Sequence, residues 1–567
     1  MKKRFYLRLI IGILLCLLIS IALVVSVENQ VIALTLAIPT TQISNEGNSD
    51  GLANTSLNLL LGNKVQPVSN KPILPVGVED NNKQIIIAQG NNFKLPAFID
   101  YSASTSNLNS QVSSTGASYS YYLPSLANNA GGYTTYLAFQ NTTATQASIG
   151  LSYYNQQGVL LSVDTTSCPT LTAYAECLPL NPFNNSKGSG ILTSTQPLSV
   201  IIAEGTPFGG SAYAVGSGSN NQLIVPIAFR NAYGDFSTQL TVFNGDSTST
   251  VATLTFYDQN GIIQNSATQT LTIGAYISLT LDQALASSNL PNNFSGWVEV
   301  SSATGSKLVA QVLEQSPSQK FVAIASALST QNLASTLYTP AILKNSYNFN
   351  TGAVIINPNN NPLNITITYY DDSGKAIATA PFTLAANSAQ AIYQGGGGGT
   401  GLPSGTGLPN GFSGAAIVTA SGGSSSNGSN GIVMVVNESG GVSASGTSLS
   451  GTYAAASNGT TSVGLPVMAN GGFGYITGAT IFNTSGTTVN GTIQYYKTDG
   501  TPVGQAQPFS IGPYASQLAY QGAPNLLPSG FYGTAVITQT GGGGSSGLIV
   551  TTNALSSLFY TYTEPNT

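Results

Sequence analysis

The sequence predicts an all-β protein, a tandem array of antiparallel β-sandwich modules behind an N-terminal apolar segment. Three observations carry this. A cassette of two aromatics running into a polar turn recurs four times: Tyr153-Tyr154-Asn155-Gln156-Gln157-Gly158, Phe256-Tyr257-Asp258-Gln259-Asn260-Gly261, Tyr369-Tyr370-Asp371-Asp372-Ser373-Gly374 and Tyr495-Tyr496-Lys497-Thr498-Asp499-Gly500. Around each cassette apolar and hydroxyl residues alternate with period two, which places them on opposite faces of a strand. After residue 40 nothing sustains a capped 3.6-residue apolar period, and the best helical fragment is one or two turns at residues 279–286.

Taken in order, residues 1–33 have the form of a secretion signal. Lys2, Lys3, Arg4 and Arg8 lead into residues 9–27, nineteen residues without a charge, and Val31-Ile32-Ala33 and Thr35-Leu36-Ala37 offer small-residue cleavage sites. The apolar run exceeds the usual signal length of about 7–15 residues and approaches the roughly 20 that span a bilayer. A retained membrane anchor is therefore the alternative. Either reading puts the chain outside the cell or on its surface, touching membrane only through this segment if it stays uncleaved. Residues 34–118 carry Pro67, Pro72, Pro75 and Pro96 and end in a Ser/Asn/Thr-rich stretch, which reads as a spacer and linker.

Four repeats follow, over residues 119–217, 218–332, 333–455 and 456–567. Each opens at a proline: Pro124, Pro226, Pro340, Pro466. An asparagine comes 17 or 18 residues later (Asn141, Asn244, Asn357, Asn483), with a threonine six before it (Thr135, Thr238, Thr351, Thr477). From that asparagine to the second aromatic of the cassette is 13 residues in every repeat. Further strands start near Gly190, Gly296, Gly414 and Gly533, and one more follows each. About seven short strands per roughly 100–120 residues, separated by turn signals, read as a β-sandwich. Strand parity gives the cassette's two aromatics different faces. The first falls with the apolar residues, as Tyr369 does with Ile365 and Ile367. The second, Tyr154, Tyr257, Tyr370 or Tyr496, falls with the hydroxyls.

This pattern of Pro, aromatic-x-Thr, Asn, aromatic-Tyr and Gly over residues 119–567 resembles the tandem all-β modules of bacterial secreted and cell-surface proteins. The resemblance implies immunoglobulin-like sandwiches without catalytic activity, and it carries no functional residues across.

Composition narrows the function. Charged residues are 6% of the 567, against roughly 25% in ordinary soluble proteins. Beyond residue 27 there are 11 basic and 20 acidic residues, so no basic patch is left to neutralise phosphates and nucleic acid is not an expected partner. The chain has no histidine, which removes Ser-His and Cys-His nucleophile systems and the HExxH zinc site. Asp372-Ser373-Gly374 spells the aspartic-protease tripeptide, but that chemistry needs two carboxylates sharing a proton and a hairpin turn accounts for it. Glu204, Glu314 and Glu438 recur in one slot, with Asn553 near it in the fourth repeat; they read as strand-end or loop residues rather than a glycosidase pair. Asp258, Asp371, Asp372 and Asp499 suit turns better than a calcium loop. No catalytic residue, cofactor or metal is expected.

Two assignments remain. Cys168 and Cys177 lie in one loop of an exported chain and are expected to form a disulfide, worth roughly 2–3 kcal/mol on the chain-entropy account. The four second-position tyrosines are the candidates for contact with a glycan or a partner, against packing within their own sheet. Asn141, Asn184, Asn293, Asn364, Asn483 and Asn490 stand in Asn-x-Ser/Thr sites. The expected function is an exported, non-catalytic surface protein: a stalk, envelope component or adhesin, and an elongated particle. The alternative is a polysaccharide-binding protein that uses those tyrosines.

Overall fold

The structure is a computed structural model. It describes residues 116–567 apart from 118, 165, 207–208, 283–289, 396–407, 423–429, 443–447, 525, 545–546, 556–558 and 564–567. The signal or anchor at 1–33 and all but the end of the spacer at 34–118 lie outside the described residues. Of the described part, 65% is strand and 2% helix, so the chain is all-β. Of residues 279–286, the described ones, 279–282, are strand and not helix; 283–286 lie outside the described residues. Leu279 and Leu281 alternate with Ser278, Thr280 and Asp282 in the strand Ser278–Asp282, which pairs antiparallel with Ser237–Asn244.

Each module is built on eight strand positions in two antiparallel layers. Among the described residues the first module splits its fourth position into Leu160–Asp164 and Thr170–Leu171, and the second adds Leu328–Ser329 beside its first strand. In the second the eight positions are Gln222–Arg230, Ser237–Asn244, Thr250–Asp258, Gln269–Ile273, Ser278–Asp282, Phe294–Ser302, Leu308–Ser316 and Phe321–Ser326. Counting along the chain, strands one, six, three and four form one sheet in that order, and five, two, seven and eight form the other. All four modules share this order. It differs from the A-B-E-D and C-F-G sheets of immunoglobulin domains, because the first strand pairs with the sixth and faces the second. The eighth strand is the one that period-two reading missed. It is Gly209–Ala214, Phe321–Ser326, Ser448–Ala454 and Phe559–Thr563 in the four modules.

The repeated residues have repeated jobs. Each opening proline sits in a register shift of the first strand: between Leu123 and Leu126, Val225 and Ala228, Thr339 and Ile342, Leu465 and Met468. A proline cannot donate to the ladder, and a bulge is where a strand tolerates it. Each repeat threonine clips the first strand to the second. Thr477 Oγ1 accepts from Ala469 N at 2.9 Å and donates to Ala469 O, and Thr135, Thr238 and Thr351 do the same at their positions. Each repeat asparagine is fully buried. Asn483 Nδ2 donates to the carbonyls of Thr487, Ile511 and Gly512, and its Oδ1 accepts from Ser485 N. Asn141, Asn244 and Asn357 repeat this set of partners. The staple ties the end of strand two to the turn between strands four and five, which crosses from one sheet to the other. Asn141 and Asn483 are thus Asn-x-Thr/Ser sites whose amides are consumed inside the fold, whereas Asn184, Asn293, Asn364 and Asn490 are exposed.

The first cassette aromatics, Tyr153, Phe256, Tyr369 and Tyr495, belong to the four sandwich cores, as parity predicts. Four further apolar clusters lie between modules. Tyr122, Tyr154 and Ile191 of the first meet Phe243 of the second, and Ile224, Tyr257 and Trp297 of the second meet Ile356 and Val433 of the third. Leu343, Phe349 and Leu449 of the third meet Leu555 of the fourth, and Ala469, Tyr475 and Ala554 of the fourth meet Ala138, Ile201 and Ala212 of the first. The modules therefore close into a circuit of eight stacked sheets, in place of the extended file expected from the repeats. The eighth strands pack on one another at its axis, where Ser211 Oγ accepts from Ile324 N of the next module and Ser450 Oγ donates to Val322 O.

The staple generates a prediction. Asn483→Ala empties a fully buried site and removes its amide bonds. Thr487 O keeps Ser485 Oγ and Gly512 O keeps Ala515 N. The unpaired groups are Ile511 O, which loses its amide donor, and Ser485 N, which loses its acceptor, each at about 1–3 kcal/mol. Asn483→Asp loses the same donors with almost no change in shape. Both should destabilise by roughly 3 kcal/mol or more in chemical denaturation, whereas Asn490→Ala, exposed on strand three, should leave the midpoint nearly unchanged.

Candidate functional site

The joints between modules are where the recurring residues converge. The second cassette aromatic leaves its sheet on the side away from its own core, and the next module covers that side. Tyr154 stacks on Tyr276 at a centroid distance of 4.4 Å, Tyr370 packs on Tyr514 at 5.2 Å, and Tyr496 stacks on Tyr174 at 4.7 Å. The receiving tyrosines sit in the turn between strands four and five with left-handed backbone: Tyr276 at φ 56°, Tyr514 at 53°, Tyr174 at 60°. The second joint departs from this. Asn387 holds the left-handed position at φ 54°, where asparagine is at ease, and the ring comes from Trp297 of the same module. It stacks on Tyr257 at 4.4 Å and donates its indole N–H to Asn387 O at 3.0 Å. Tyr154 and Tyr257 are buried and Tyr370 and Tyr496 half-buried. The hydroxyl-rich face on which parity placed them is an interface between modules, not a solvent face.

The cassette glycine completes each joint. Gly158, Gly261, Gly374 and Gly500 have φ between 74° and 85°, and a Cβ on them would lie 2.0–2.3 Å from the carbonyl oxygens of Ala275, Ala386, Pro513 and Ala173. Only glycine satisfies both demands. Backbone bonds run alongside: Ala389 N to Gln259 O, Ser516 N to Asp372 O, and Glu176 N to Thr498 O. The turn aspartates are occupied as well. Asp258 and Asp371 Oδ1 each accept two turn amides, Asp499 Oδ1 accepts one, and Asp372 accepts the Ser516 hydroxyl of the next module. Asp372-Ser373-Gly374 is thus one more joint.

Nearer the axis, Glu204, Glu314 and Glu438 are not at strand ends or in loops. They are buried within the seventh strands, opposite Thr135, Thr238 and Thr351. Each is held by an amide from the next module: Glu204 by Gln311, Glu314 by Asn437 Nδ2 at 2.9 Å, Glu438 by Asn553 Nδ2 at 3.0 Å. Burial pushes Glu204 and Glu314 up to about 7 and Glu438 to about 8. In the fourth module the position opposite Thr477 is Ala554, so the ladder of acids ends there. Cys168 and Cys177 form a disulfide in the first module, which fits an oxidising, extracellular setting. Among the described residues no helix is long and apolar enough to cross a membrane.

Two predictions follow from this geometry. Gly305 is also left-handed, at φ 90°, but has open space around it. Gly305→Ala and Gly374→Ala should share the left-handed penalty of about 1–2 kcal/mol, and Gly374→Ala should cost a further 1–3 kcal/mol or so from its clash with Pro513, read as the difference in thermal midpoint. The second concerns pH. The three buried glutamates keep their protons in the folded state above the ordinary carboxyl value of 4.5. The unfolded chain releases them there, so their contribution is complete below that value. It falls as pH rises and levels off above about pH 8. Thermal midpoints should drop between about pH 5 and pH 8, and replacing all three by Gln should flatten that slope. Desolvation at Asp235 is outweighed by hydrogen bonds from Ser316 and Ser318, and with the Thr501 bonds at Asp499 these hold both below the usual carboxylate value. Their contribution is full above 3.8 and is lost as pH falls below it.

With the circuit and its joints defined, comparison with known proteins yields no match: no protein-family model fits the chain, and no curated protein resembles it in sequence.

Proposed function

We propose that this chain is an exported, non-catalytic structural protein of the cell surface, an envelope component or adhesin scaffold whose modules are immunoglobulin-like in general build. One observation supports it above the others: the residues that the chain writes four times over are engaged in folding the modules and joining them. Pro, Thr, Asn, both aromatics and Gly each have a partner in a core, a staple or a joint. The basic, apolar N-terminus supports export, and the disulfide favours an oxidising compartment. A body with 6% charged residues whose modules pack sheet against sheet at every joint suits a rigid, protease-resistant surface element. The polysaccharide-binding alternative would have to act through rings already stacked on aromatic neighbours, which favours the structural reading.

The test is protease shaving of intact source cells, with N-terminal sequencing of the recovered chain and a glycan array probed with the same material. The expected outcome is a surface-exposed chain, beginning near Ala33 or Ala37 or still membrane-bound, with no saturable glycan binding. Retention in the cytoplasm would overturn the surface assignment, and saturable binding to an envelope polysaccharide would favour the alternative.

A further inference from the structure

Three joints connect modules that follow one another in the chain, so their partners stay tethered if the contacts part. The fourth joint has no such tether. It brings Thr534 Oγ1 to Tyr174 O at 3.1 Å across 360 residues, and it alone closes the circuit.

This joint is also built differently. The axial acid ladder stops at Ala554, which packs among Ala138, Ile201 and Ala212. Where the other modules place Ser278, Ala389 and Ser516, the first places Glu176. That side chain is buried and accepts from Tyr532 Oη of the fourth module at 2.9 Å. More telling is how the receiving turn is anchored. In the second module it hangs between two five-residue strands, Gln269–Ile273 and Ser278–Asp282. In the third and fourth it hangs between a long strand and a five-residue one, Ala376–Leu384 with Ala389–Tyr393 and Pro502–Ile511 with Ser516–Tyr520. In the first module the flanking pieces are two residues each, Thr170–Leu171 and Glu176–Cys177. The disulfide spans that gap. It encloses Thr172, Ala173, Tyr174 and Glu176, which receive Asp499 O, Gly500, the Tyr496 ring and Thr498 O of the fourth module.

We infer that the Cys168–Cys177 disulfide is the latch of the circuit: reduction by a dithiol frees the fourth module from the first and leaves the other three joints closed. Cys168 is partly exposed beside Pro169 and Thr170, while Cys177 is buried, so Cys168 is the sulfur open to attack. A thiolate of the reductant bonds to Cys168 Sγ and displaces Cys177 as thiolate. The second thiol of the reductant then displaces Cys168, and the reductant leaves as a disulfide. Two electrons and two protons pass to the protein, which ends with two thiols. The receiving turn then keeps the Asn141 staple at its start and two-residue pairings on either side, without the covalent brace that spans Thr172 to Glu176, and loses the geometry that Tyr496 and Gly500 require.

The experiment is amide hydrogen exchange read by mass spectrometry on the full chain, oxidised and after treatment with dithiothreitol. Peptides covering residues 172–177 and 497–500 should exchange about tenfold faster or more after reduction. Peptides covering 275–278, 386–389 and 513–516, the same turn in the other joints, should be unchanged. Cys168→Ser/Cys177→Ser without reductant should match the reduced protein. Tyr496→Ala with the disulfide intact should open the fourth joint from the other side. Equal acceleration at all four joints would mean general destabilisation and would overturn the latch, as would unchanged protection at residues 172–177.

Discussion

The structure depends on covering the second face of every sheet. A sandwich buries one face of each of its sheets and leaves the other to water, where ordinary proteins place charge. Here the outward face around strands one and six and the second cassette aromatic is covered by strands two and seven of the following module, while outward positions farther along, such as Val251, Asn364 and Asn490, stay exposed. Tyr154 on Tyr276, Tyr370 on Tyr514 and Tyr496 on Tyr174 mark where the faces meet. Aromatic pairs of this kind contribute about 0.5–1.5 kcal/mol beyond their area. That helps to hold three tyrosines in a left-handed backbone that bulky residues avoid. The low charge content then has a physical reason: most strand positions look into a core or a joint, and Ser and Thr serve where a hydroxyl can reach a backbone carbonyl.

Closing a circuit does for sheet faces what closing a barrel does for sheet edges. It also puts the eighth strands together at the axis, where space is short. Gly209–Ala214 reads Gly-Gly-Ser-Ala-Tyr-Ala, and Ser448–Ala454 is mostly Ser, Gly, Thr and Ala. Small residues allow the backbones to approach, and serine hydroxyls bond across the module boundaries. Glu204, Glu314 and Glu438 belong to the same region. An acid there survives because a neighbouring amide donates to it and because it can keep its proton. These groups make the axis sensitive to pH, while the disulfide-braced joint sits farther out, in the turn of the first module.

Much of this was legible in residue order. The threonine and asparagine kept their spacing to the cassette because each bonds at a nearly fixed separation: the threonine to a residue eight back, nine for Thr238, and the asparagine to a carbonyl four residues on. The glycine kept its place because its φ and the oncoming carbonyl both exclude a Cβ. The proline was a readable strand marker without its reason, the bulge. The eighth strands were missed because they share no pattern: Gly209–Ala214 and Ser448–Ala454 are rich in Gly, Ser and Ala, Phe321–Ser326 is a short apolar run, and Phe559–Thr563 alternates Tyr and Thr after its Phe. The acids were placed at strand ends because nothing local distinguishes a buried glutamate from an exposed one. Residues 279–282 were read as helical because two leucines in a short run satisfy either period.

Residue order alone carries most of the module: all but its last strand, its turns, its stapling residues and the division of the two cassette aromatics between faces. Those rest on contacts within a module, set by chain spacing and by the alternation of side chains along a strand. What covers the second aromatic, and that the fourth module returns to the first, come from packing between modules. Period two says which residues share a face, but not what that face meets. The contact between Tyr496 and Tyr174 joins residues that no local pattern relates. Their meeting depends on the angle accumulated across four joints, a property of packed sheets and not of any stretch of chain.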